Sequence, residues 1–197
     1  MLDTSLQFIK NYIGKQFTAH GVIAPPNVVV ASIPKDLDTV SAEKIYVTLI
    51  NIEEEKIFKS QAEYKPLASN PSVIGLMNPE IRLNLYVLIS AIFKSPEDRY
   101  VQSLKFLSLI ITFFQGKNVF EDTDFTQAEK DAGLEKLILE LQSLSMDQIN
   151  QMWQILGSKL APGVLYKVRI VVMRDALAKE ISRTAEIKSI GIDIQRK

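Results

Sequence analysis

The stretch that decides the fold is IRLNLYVLISAIF, residues 81–93. Every second residue from Ile81 to Phe93 is apolar, and the residues between them begin with Arg82 and Asn84 before they also turn apolar. A period of two is typical of a β-strand, whose successive side chains point to opposite faces. The pattern predicts a strand with one face in the core along its whole length and the other face half covered.

Four more stretches have the composition of strands. Three of them are rich in β-branched residues, and the fourth alternates leucine with other residues, so that helix and strand both fit it and strand is favoured. These predicted strands are residues 28–31, 45–52, 134–144 and 164–173. Because Glu53, Glu54, Glu55 and Lys56 follow the second one, its far end is expected to leave the core.

Three stretches predict helices, at residues 4–17, 96–115 and 146–156. The first has apolar residues at helical spacing, and Asp3 or Thr4 is its expected cap. Ser145 and Gln148 stand three residues apart before the last helix, which is the spacing of a capping box. Gly157 follows that helix, and glycine is the usual residue after a helix end.

Together these elements predict an α+β fold in a single domain over residues 1–197, with about 177–197 as a C-terminal tail. The expected sheet is mixed and mostly antiparallel, with about five strands, and it packs with about three helices. Residues 57–80 contain Pro66, Pro71 and Gly75 and show no clear period, so they are expected to form a mobile loop.

The composition excludes several classes of protein. Lys plus Arg and Asp plus Glu both number 23, so the formal net charge is zero and offers no general attraction for nucleic acid or an anionic membrane. The most apolar stretch, residues 104–114, is far shorter than the roughly 20 residues that span a bilayer. The N-terminus lacks the basic and then apolar layout of a signal peptide. We therefore expect a soluble protein that neither binds nucleic acid nor inserts into a membrane.

The residues that carry chemistry do not form a recognisable active site. There is no cysteine, and His20 is the only histidine, so a surface histidine without a catalytic role is the favoured interpretation. Glu53, Glu54 and Glu55 would alternate between two faces of a strand and could not converge on one metal ion. We therefore expect no enzyme, no metal and no cofactor.

Three further motifs have structural interpretations that are favoured over functional ones. The sequence GSK at residues 157–159 lacks the earlier glycine of a phosphate loop, so a helix stop is expected there. Lys167 and Arg169, with Arg174 beyond them, form a small basic stripe that is better explained by solvation or ion pairing than by nucleic acid. Trp153 is expected in the core or in an interface.

An ordered series of segments resembles one known family, the N-terminal domain of cap proteins from contractile injection systems of the antifeeding-prophage and Photorhabdus virulence cassette kind. The segments are INIEEEK (50–56), LNLYVL (83–88), LKFLS (104–108), FFQGKNVF (113–120), LEL (139–141) with Leu144, WQILG (153–157) and LYKVR (165–169). The resemblance covers nearly the whole chain, and residues 57–80 match it least well. It implies a fold like that of phage tail-terminator subunits.

The resemblance also implies a function. Such a cap forms a ring on the end of the inner tube and sheath of a bacterial contractile particle and stops their growth. It implies a homo-hexameric ring, because the tube has six-fold symmetry, and it makes the inner-tube and sheath proteins the expected partners. Assembly in the bacterial cytoplasm, followed by a place in the finished particle, is the implied localisation. The family has no known active site from which residues could be transferred.

Two segments are candidates for joining one subunit to another or to the tube and sheath. One is the charged end of the second predicted strand, with Asn51, Glu53, Glu55 and Lys56. The other is the tail, where Ile190, Ile192 and Ile194 alternate with small or polar residues as an added strand would. Whether the tail reaches a neighbour or folds back on its own sheet stays open at this point. The alternative function is a ligand- or peptide-binding module with residues 57–80 as a mobile loop over its site.

Overall fold

The strand predicted at residues 81–93 is one of the two middle strands of a six-stranded sheet. The computed structural model describes residues 1–36, 43–55, 63–67, 70–77, 81–93, 97–173 and 179–180. The chain divides into two compact units, one of Met1–Lys59 with Glu80–Arg174 and one of Ser60–Pro79 with Asp175–Lys197. The single domain expected over residues 1–197 stays a prediction.

The first unit contains four helices and six strands within its described residues. Its helices are α1 (Leu2–Ala19), α2 (Glu97–Gly116), α3 (Gln127–Asp131) and α4 (Met146–Leu156), with a short 3-10 turn at Asp122–Asp124. Its strands are β1 (Asn27–Val30), β2 (Lys44–Glu54), β5 (Ile81–Ile92), β6 (Val119–Phe120), β7 (Lys136–Gln142) and β8 (Gly163–Met173). The second unit contains β3 (Glu63–Leu67), β4 (Asn70–Met77) and β9 (Lys179–Glu180).

The strands of the main sheet lie in the order β1-β2-β5-β8-β7-β6. Only the β1–β2 pair is parallel, and the other four pairs among the described strands are antiparallel. The mixed, mostly antiparallel α+β class is therefore confirmed. β5 lies between β2 and β8, the other two long strands, which is why its one face is apolar along its whole length.

One face of the sheet, here called the inner face, packs against α1 and α2. Ile13 and Phe17 of α1 and Ile110 of α2 are completely buried against residues of β2, β5 and β8. Aromatic rings fill the space between the helices and the β6 edge, with Phe8 in edge-to-face contact with Phe120 at 5.1 Å between ring centroids. Burial of each such side chain contributes about 1.5–3 kcal/mol, so this layer accounts for most of the apolar stabilisation.

The opposite face, here called the outer face, is covered over only half of its area. Trp153 of α4 is 7% exposed and packs with Tyr46, Leu88, Ile92 and Leu165. The part of the outer face beyond these residues is polar. This division confirms the half-covered second face that the sequence of β5 predicts.

A β-bulge in β2 separates its two ends. The register with β5 runs regularly to Leu49 opposite Val87 and then resumes with Asn51 opposite Tyr86, so β2 contains one extra residue, Ile50. Before the bulge, alternate residues ending at Leu49 point to the inner face and its helices. After the bulge, the alternation of side chains between the inner and outer faces is shifted by one residue. Asn51 and Glu53 therefore lie on the outer face.

Most of the predicted elements are confirmed, and the ambiguous stretch 134–144 is the strand β7. The capping box is also present, since the Gln148 amide donates to Ser145 Oγ at 3.3 Å and the Ser145 amide donates to Gln148 Oε1 at 2.9 Å. Gly157 ends α4 with φ 63°, in the left-handed region that favours glycine.

The expected cap of the first helix is wrong. α1 begins at Leu2 with Met1 as its N-cap, and neither Asp3 nor Thr4 caps it. Asp3 lies in the first turn, where its carboxylate accepts a hydrogen bond from the N-terminal ammonium at 2.9 Å. The short elements β6 and α3 were not predicted, because two and five residues are too few to show a period.

The interpretation of residues 57–80 as a mobile loop is wrong for the part that the structure describes. β3 and β4 form an antiparallel pair, with Glu63 opposite Met77 and Pro66 opposite Ile74, and β9 pairs with the other side of β4. Proline is tolerated there because β3 is an edge strand of this three-stranded sheet. The alternative function as a binding module with this segment as a mobile loop loses its basis.

Candidate interaction surface

The polar half of the outer face is built from four neighbouring strands. Its side chains come from β2, β5, β8 and β7 in that order, and here they are called the polar half: Asn51, Glu53, Glu55, Asn84, Tyr86, Lys167, Arg169 and Glu140. The register places Tyr86 between Asn51 and Lys167, and Asn84 between Glu53 and Arg169. A sheet surface with alternating carboxylate, amide, hydroxyl and basic groups suits specific contact with another protein.

Hydrogen bonds join the acidic end of β2 to β5. The Tyr86 hydroxyl donates to Glu53 Oε2 at 2.9 Å, and Asn84 Nδ2 donates to Glu55 Oε2 at 3.0 Å. Partial burial, and after it the hydrogen bond to Glu53, raises the pKa of the Tyr86 hydroxyl. These bonds hold both carboxylates over the sheet, so the acidic run forms part of an ordered surface.

The basic side of the polar half contains an ion pair between β8 and β7. Arg169 Nη2 lies 3.0 Å from the carboxylate of Glu140, and both side chains are more than one third exposed. The ion-pair interpretation of the Lys167 and Arg169 stripe is confirmed for Arg169. Arg174 lies outside the described residues.

The far end of β2 presents an open sheet edge. β1 pairs only with Lys44–Val47, so from Leu49 onward β2 pairs with β5 alone among the described strands. The Glu55 amide donates to the Arg82 carbonyl at 2.8 Å, which directs the backbone groups of Glu55 toward β5. Since these directions alternate along a strand, the N–H and C=O groups of Ile52 and Glu54 point away from β5.

The far end of β7 presents a second open edge on the opposite side of the sheet. β6 pairs only with Leu137 and Ile138, and the Leu139 amide donates to the Asn118 carbonyl at 2.8 Å. Beyond that point β7 pairs with β8 alone among the described strands. Leu141 stands two residues after Leu139, so its N–H and C=O groups also point away from β8.

Two recesses flank this second edge. One has a volume of ≈ 520 Å³, and it is lined by Ile111 and Phe114 of α2 together with Leu139, Leu141 and Tyr166. Burial raises the pKa of the Tyr166 hydroxyl to about 12. The other recess measures ≈ 400 Å³, and Leu141 lines it too.

Apolar side chains around the second edge are unusually exposed. Leu141 is 53% exposed, and Tyr100 and Leu104 of α2 are 59% and 41% exposed. Tyr100, Leu104 and Ile111 stand four and seven residues apart, which places them on one face of α2. The edge of β7 and this face of α2, together called the α2–β7 groove, form an apolar surface beside backbone groups that pair with no described strand.

The other candidate residues have structural surroundings. His20 is the exposed C-cap residue just after α1, where its Nδ1 is 2.9 Å from the Gln16 carbonyl oxygen and its ring centroid is 4.8 Å from that of Phe113. Ser158, in the GSK sequence, donates to the Pro34 carbonyl at 2.9 Å and so connects two chain segments. Trp153 is in the core, as one of its two interpretations expects.

The part of the chain that the structure describes contains neither a metal-binding cluster nor a membrane-spanning helix. Among those residues, no group of three or more His, Cys, Asp or Glu side chains could hold a metal ion. No helix in the described part of the chain is long and apolar enough to cross a membrane.

The described residues thus define a mixed α+β fold with an open sheet that has a polar face and two strand ends paired with no further described strand. The chain belongs to the Pvc16 N-terminal domain family, whose profile matches residues 6–185. The family resemblance noted in the sequence is thereby confirmed. No curated protein matches the chain significantly.

Two solved structures have a similar fold. One is the sheath/tube terminator of the PVC extracellular contractile injection system in its extended state, with a TM-score of 0.59 and 13% identity over 95% of this chain and 64% of that one. The other is the tube-terminating cap of the anti-feeding prophage, with a TM-score of 0.59 and 15% identity over 93% of this chain and 59% of that one. The chain thus spans about 60% of the length of the solved proteins that it matches.

The sequence pointed to only part of this surface. Asn51, Glu53 and Glu55 lie on one face at an open edge, as their position after a strand suggested, whereas Lys56 lies outside the described residues. Residues 190, 192 and 194 of the tail also lie outside them. The α2–β7 groove was not foreseen, although a signal was available, since Leu104 and Leu141 are apolar beyond what one core needs.

Proposed function

We propose that the chain is a structural subunit that forms a ring on the end of the inner tube and sheath of a bacterial contractile injection particle and stops their growth. Membership of the Pvc16 N-terminal domain family supports this function. The similar folds of a sheath/tube terminator and a tube-terminating cap support it as well. In this function the chain acts by binding, and no residue is assigned a catalytic role.

The observation that carries the proposal is the pair of open edges at opposite sides of the sheet. A subunit that uses two different surfaces joins its copies head to tail, and such contacts close into a ring when the rotation fits. Exposed strand edges are normally covered, since they otherwise promote uncontrolled association. The open ends of β2 and β7 therefore favour a subunit whose edges are covered by neighbours in an assembly.

We assign the polar end of β2 to the contact with the tube, the sheath or a neighbouring subunit. Asn51, Glu53 and Glu55 are the described residues of this assignment, and the side chains of the first two are exposed. Lys56 and the tail isoleucines Ile190, Ile192 and Ile194 belong to the same assignment. Charged groups at such a surface fix orientation and partner choice more than they raise affinity.

Six copies are the proposed number, because the tube whose end the ring would cover has six-fold symmetry. Neither nucleic acid nor a membrane is a proposed partner, since the net charge of the chain is zero. Assembly is proposed in the bacterial cytoplasm, and the finished ring would then remain part of the particle.

The test is co-expression of the chain with the tube and sheath proteins of its own particle, followed by electron microscopy and native mass spectrometry. We expect tubes of uniform length with a six-fold ring at one end, and overlong tubes when the chain is omitted. Unchanged tube lengths in both cases, or a strictly monomeric chain, would contradict the proposal.

A pair of triple variants sharpens this test. The variant N51A/E53A/E55A removes the polar end of β2 and is expected to keep its fold but to fail to end tubes. The matched control is N150A/Q151A/Q154A, which removes three exposed polar side chains of α4. If both variants end tubes equally well, the assignment of the β2 end is wrong even though the ring function stands.

A further inference from the structure

We infer that the α2–β7 groove receives residues 187–197 of a second copy of this chain, added as a strand to the open edge of β7. The inference rests on the proposed ring, and it names the donor and the acceptor of the contact between neighbouring subunits. A short extended segment can join a sheet in this way, since backbone hydrogen bonds hold it and side-chain recesses select it.

The acceptor has the three features that strand addition needs. Leu141 offers an N–H and a C=O group directed away from β8, which gives the added strand its backbone partners. The recess of ≈ 520 Å³ lies between this edge and α2, on the inner side of the sheet. Ile111 of α2 lines this recess, and Tyr100 and Leu104 stand on the same helix face with 59% and 41% of their surface exposed, so an added strand would meet apolar side chains that are already in place.

The sequence of the tail complements this acceptor. IGIDI, residues 190–194, puts three isoleucines on one face of a strand and glycine and aspartate on the other. If the tail lies beside β7 as a further strand of the sheet, its isoleucine side chains would point toward α2 and the recess, where apolar side chains are exposed. Asp193 would turn to the outer face beside Glu140, whose charge is already balanced by Arg169 at 3.0 Å.

The other open edge suits this tail less well. At the end of β2, the residues whose backbone groups point away from β5 are Ile52 and Glu54. Glu53 lies between them, so this edge has two carboxylates and one apolar side chain. Three isoleucines at alternate positions of an added strand would bury little apolar surface there. The apolar groove on β7 is therefore the better acceptor.

A second copy is the donor that the geometry of a ring favours. A subunit with a strand to give and a distinct edge to receive it repeats one contact around the ring, so every edge of this kind becomes covered. The 17 residues 181–197 after Glu180 extend to at most about 55–60 Å, which is long enough for an added strand at residues 190–194 with a connector before it.

Engineered disulfides test the inference directly, since the chain has no cysteine of its own. The variants combine L141C with I190C, I192C or I194C, because the register of the added strand is to be found. The matched controls combine I52C with the same three changes, which puts the acceptor cysteine on the other open edge at a similarly exposed apolar position, 43% against 53%. Each variant is assembled with the tube protein, oxidised and run on a non-reducing gel.

The expected result is a ladder of covalent multimers up to six chains for one of the L141C pairs and for none of the I52C pairs. A ladder from the I52C pairs alone, or a fast-migrating crosslinked monomer, would overturn the inference in favour of the other edge or of the chain's own sheet. Rings that form but yield no crosslink overturn the inference alone. Absence of rings from the unmodified chain overturns the proposed function and this inference with it.

A backbone substitution provides an independent readout. L141P removes the outward N–H group of the acceptor edge, whereas L141A removes the side chain and keeps that group. We expect L141P to lose the ring while its monomer keeps the same melting temperature as the L141A monomer, because the hydrogen bonds from β7 to β8 do not use this N–H group. Equal ring formation by the two variants would overturn strand addition at Leu141.

Discussion

The two halves of the outer sheet face are built on the same strands and have opposite roles. Under α4, Leu88 and Leu165 are buried by Trp153, and the surface between them is internal core. A few residues along the same strands, Tyr86 and Lys167 lie beyond α4 with polar neighbours. The comparison shows that the helix cover, more than strand composition, decides which part of a sheet is stabilising and which part is available to a partner.

The largest expected effect comes from the helix that makes this division. W153A should lower the free energy of unfolding by about 3–5 kcal/mol, because it leaves a large cavity between α4 and the sheet. Urea denaturation followed by circular dichroism measures it. The control is I155A on the same helix, which is 85% exposed and should change stability by less than about 0.5 kcal/mol. A loss below about 1 kcal/mol for W153A would show that α4 is not an integral cover.

The covered half also contains a close backbone approach. A Cβ atom on Gly163 would lie 2.7 Å from Ser90 Oγ and 3.2 Å from the Ile89 carbonyl oxygen. We expect G163A to cost about 1–3 kcal/mol, which is the usual range for overpacking a core position.

The double variant G163A/S90A removes the closest clashing atom and should recover part of that loss. Thermal and urea denaturation of the two single variants and the double variant give the coupling. If the two single effects simply add, the contact at Ser90 does not cause the loss.

The tyrosines of the two faces respond to alkaline pH in the same direction. Burial raises the pKa of Tyr166 on the inner face to about 12, above the usual value of about 10 for the unfolded chain. The stabilisation that follows is complete below about pH 10 and is lost as the pH rises toward 12, because the unfolded chain gives up its proton first.

Comparison of the wild type with Y166F isolates this contribution. The difference in unfolding free energy between the two proteins should change between pH 8 and pH 11.5, with the wild type losing more. A constant difference over that range would show that the hydroxyl is as accessible to ionisation in the folded protein as in the unfolded one.

The smallest expected effect lies in the polar half. The ion pair between Arg169 and Glu140 is partly exposed, so its coupling should be only about 0.2–1 kcal/mol, and it should weaken in high salt. A double-mutant cycle with R169A and E140A measures that coupling. A coupling free energy above about 2 kcal/mol would contradict the partial exposure of the pair, because it would require far less contact with water.

The sequence predicted the elements whose pattern repeats often enough to be recognised. The alternation from Ile81 to Phe93 gave β5 and its half-covered face, and Ser145 with Gln148 gave the start of α4. The sequence did not predict the order of the strands, because the pairing of β8 with both β5 and β7 depends on contacts between residues that are distant in the sequence. The strands at 63–67 and 70–77 were missed because proline and glycine mark turns far more often than strands.

The candidate surface was predicted in the same uneven way. The acidic end of β2 was visible, since three consecutive glutamates after an apolar strand cannot stay in a core. The α2–β7 groove was not, because its openness depends on β6 ending after two residues, and that length has no signature in the sequence.

The bulge at Ile50 shifts the alternation of inner and outer side chains by one residue within a single strand. If β2 ran through Ile50 without a bulge, strict alternation would put Asn51, Glu53 and Glu55 on the inner face beside the aromatic helix layer and would turn Ile52 and Glu54 to the outer face. The bulge thus lets a single continuous strand contribute to the core at its first end and to the polar half at its second. Deletion of Ile50 would leave both ends on their present faces, because Asn51 would then follow Leu49 in regular alternation.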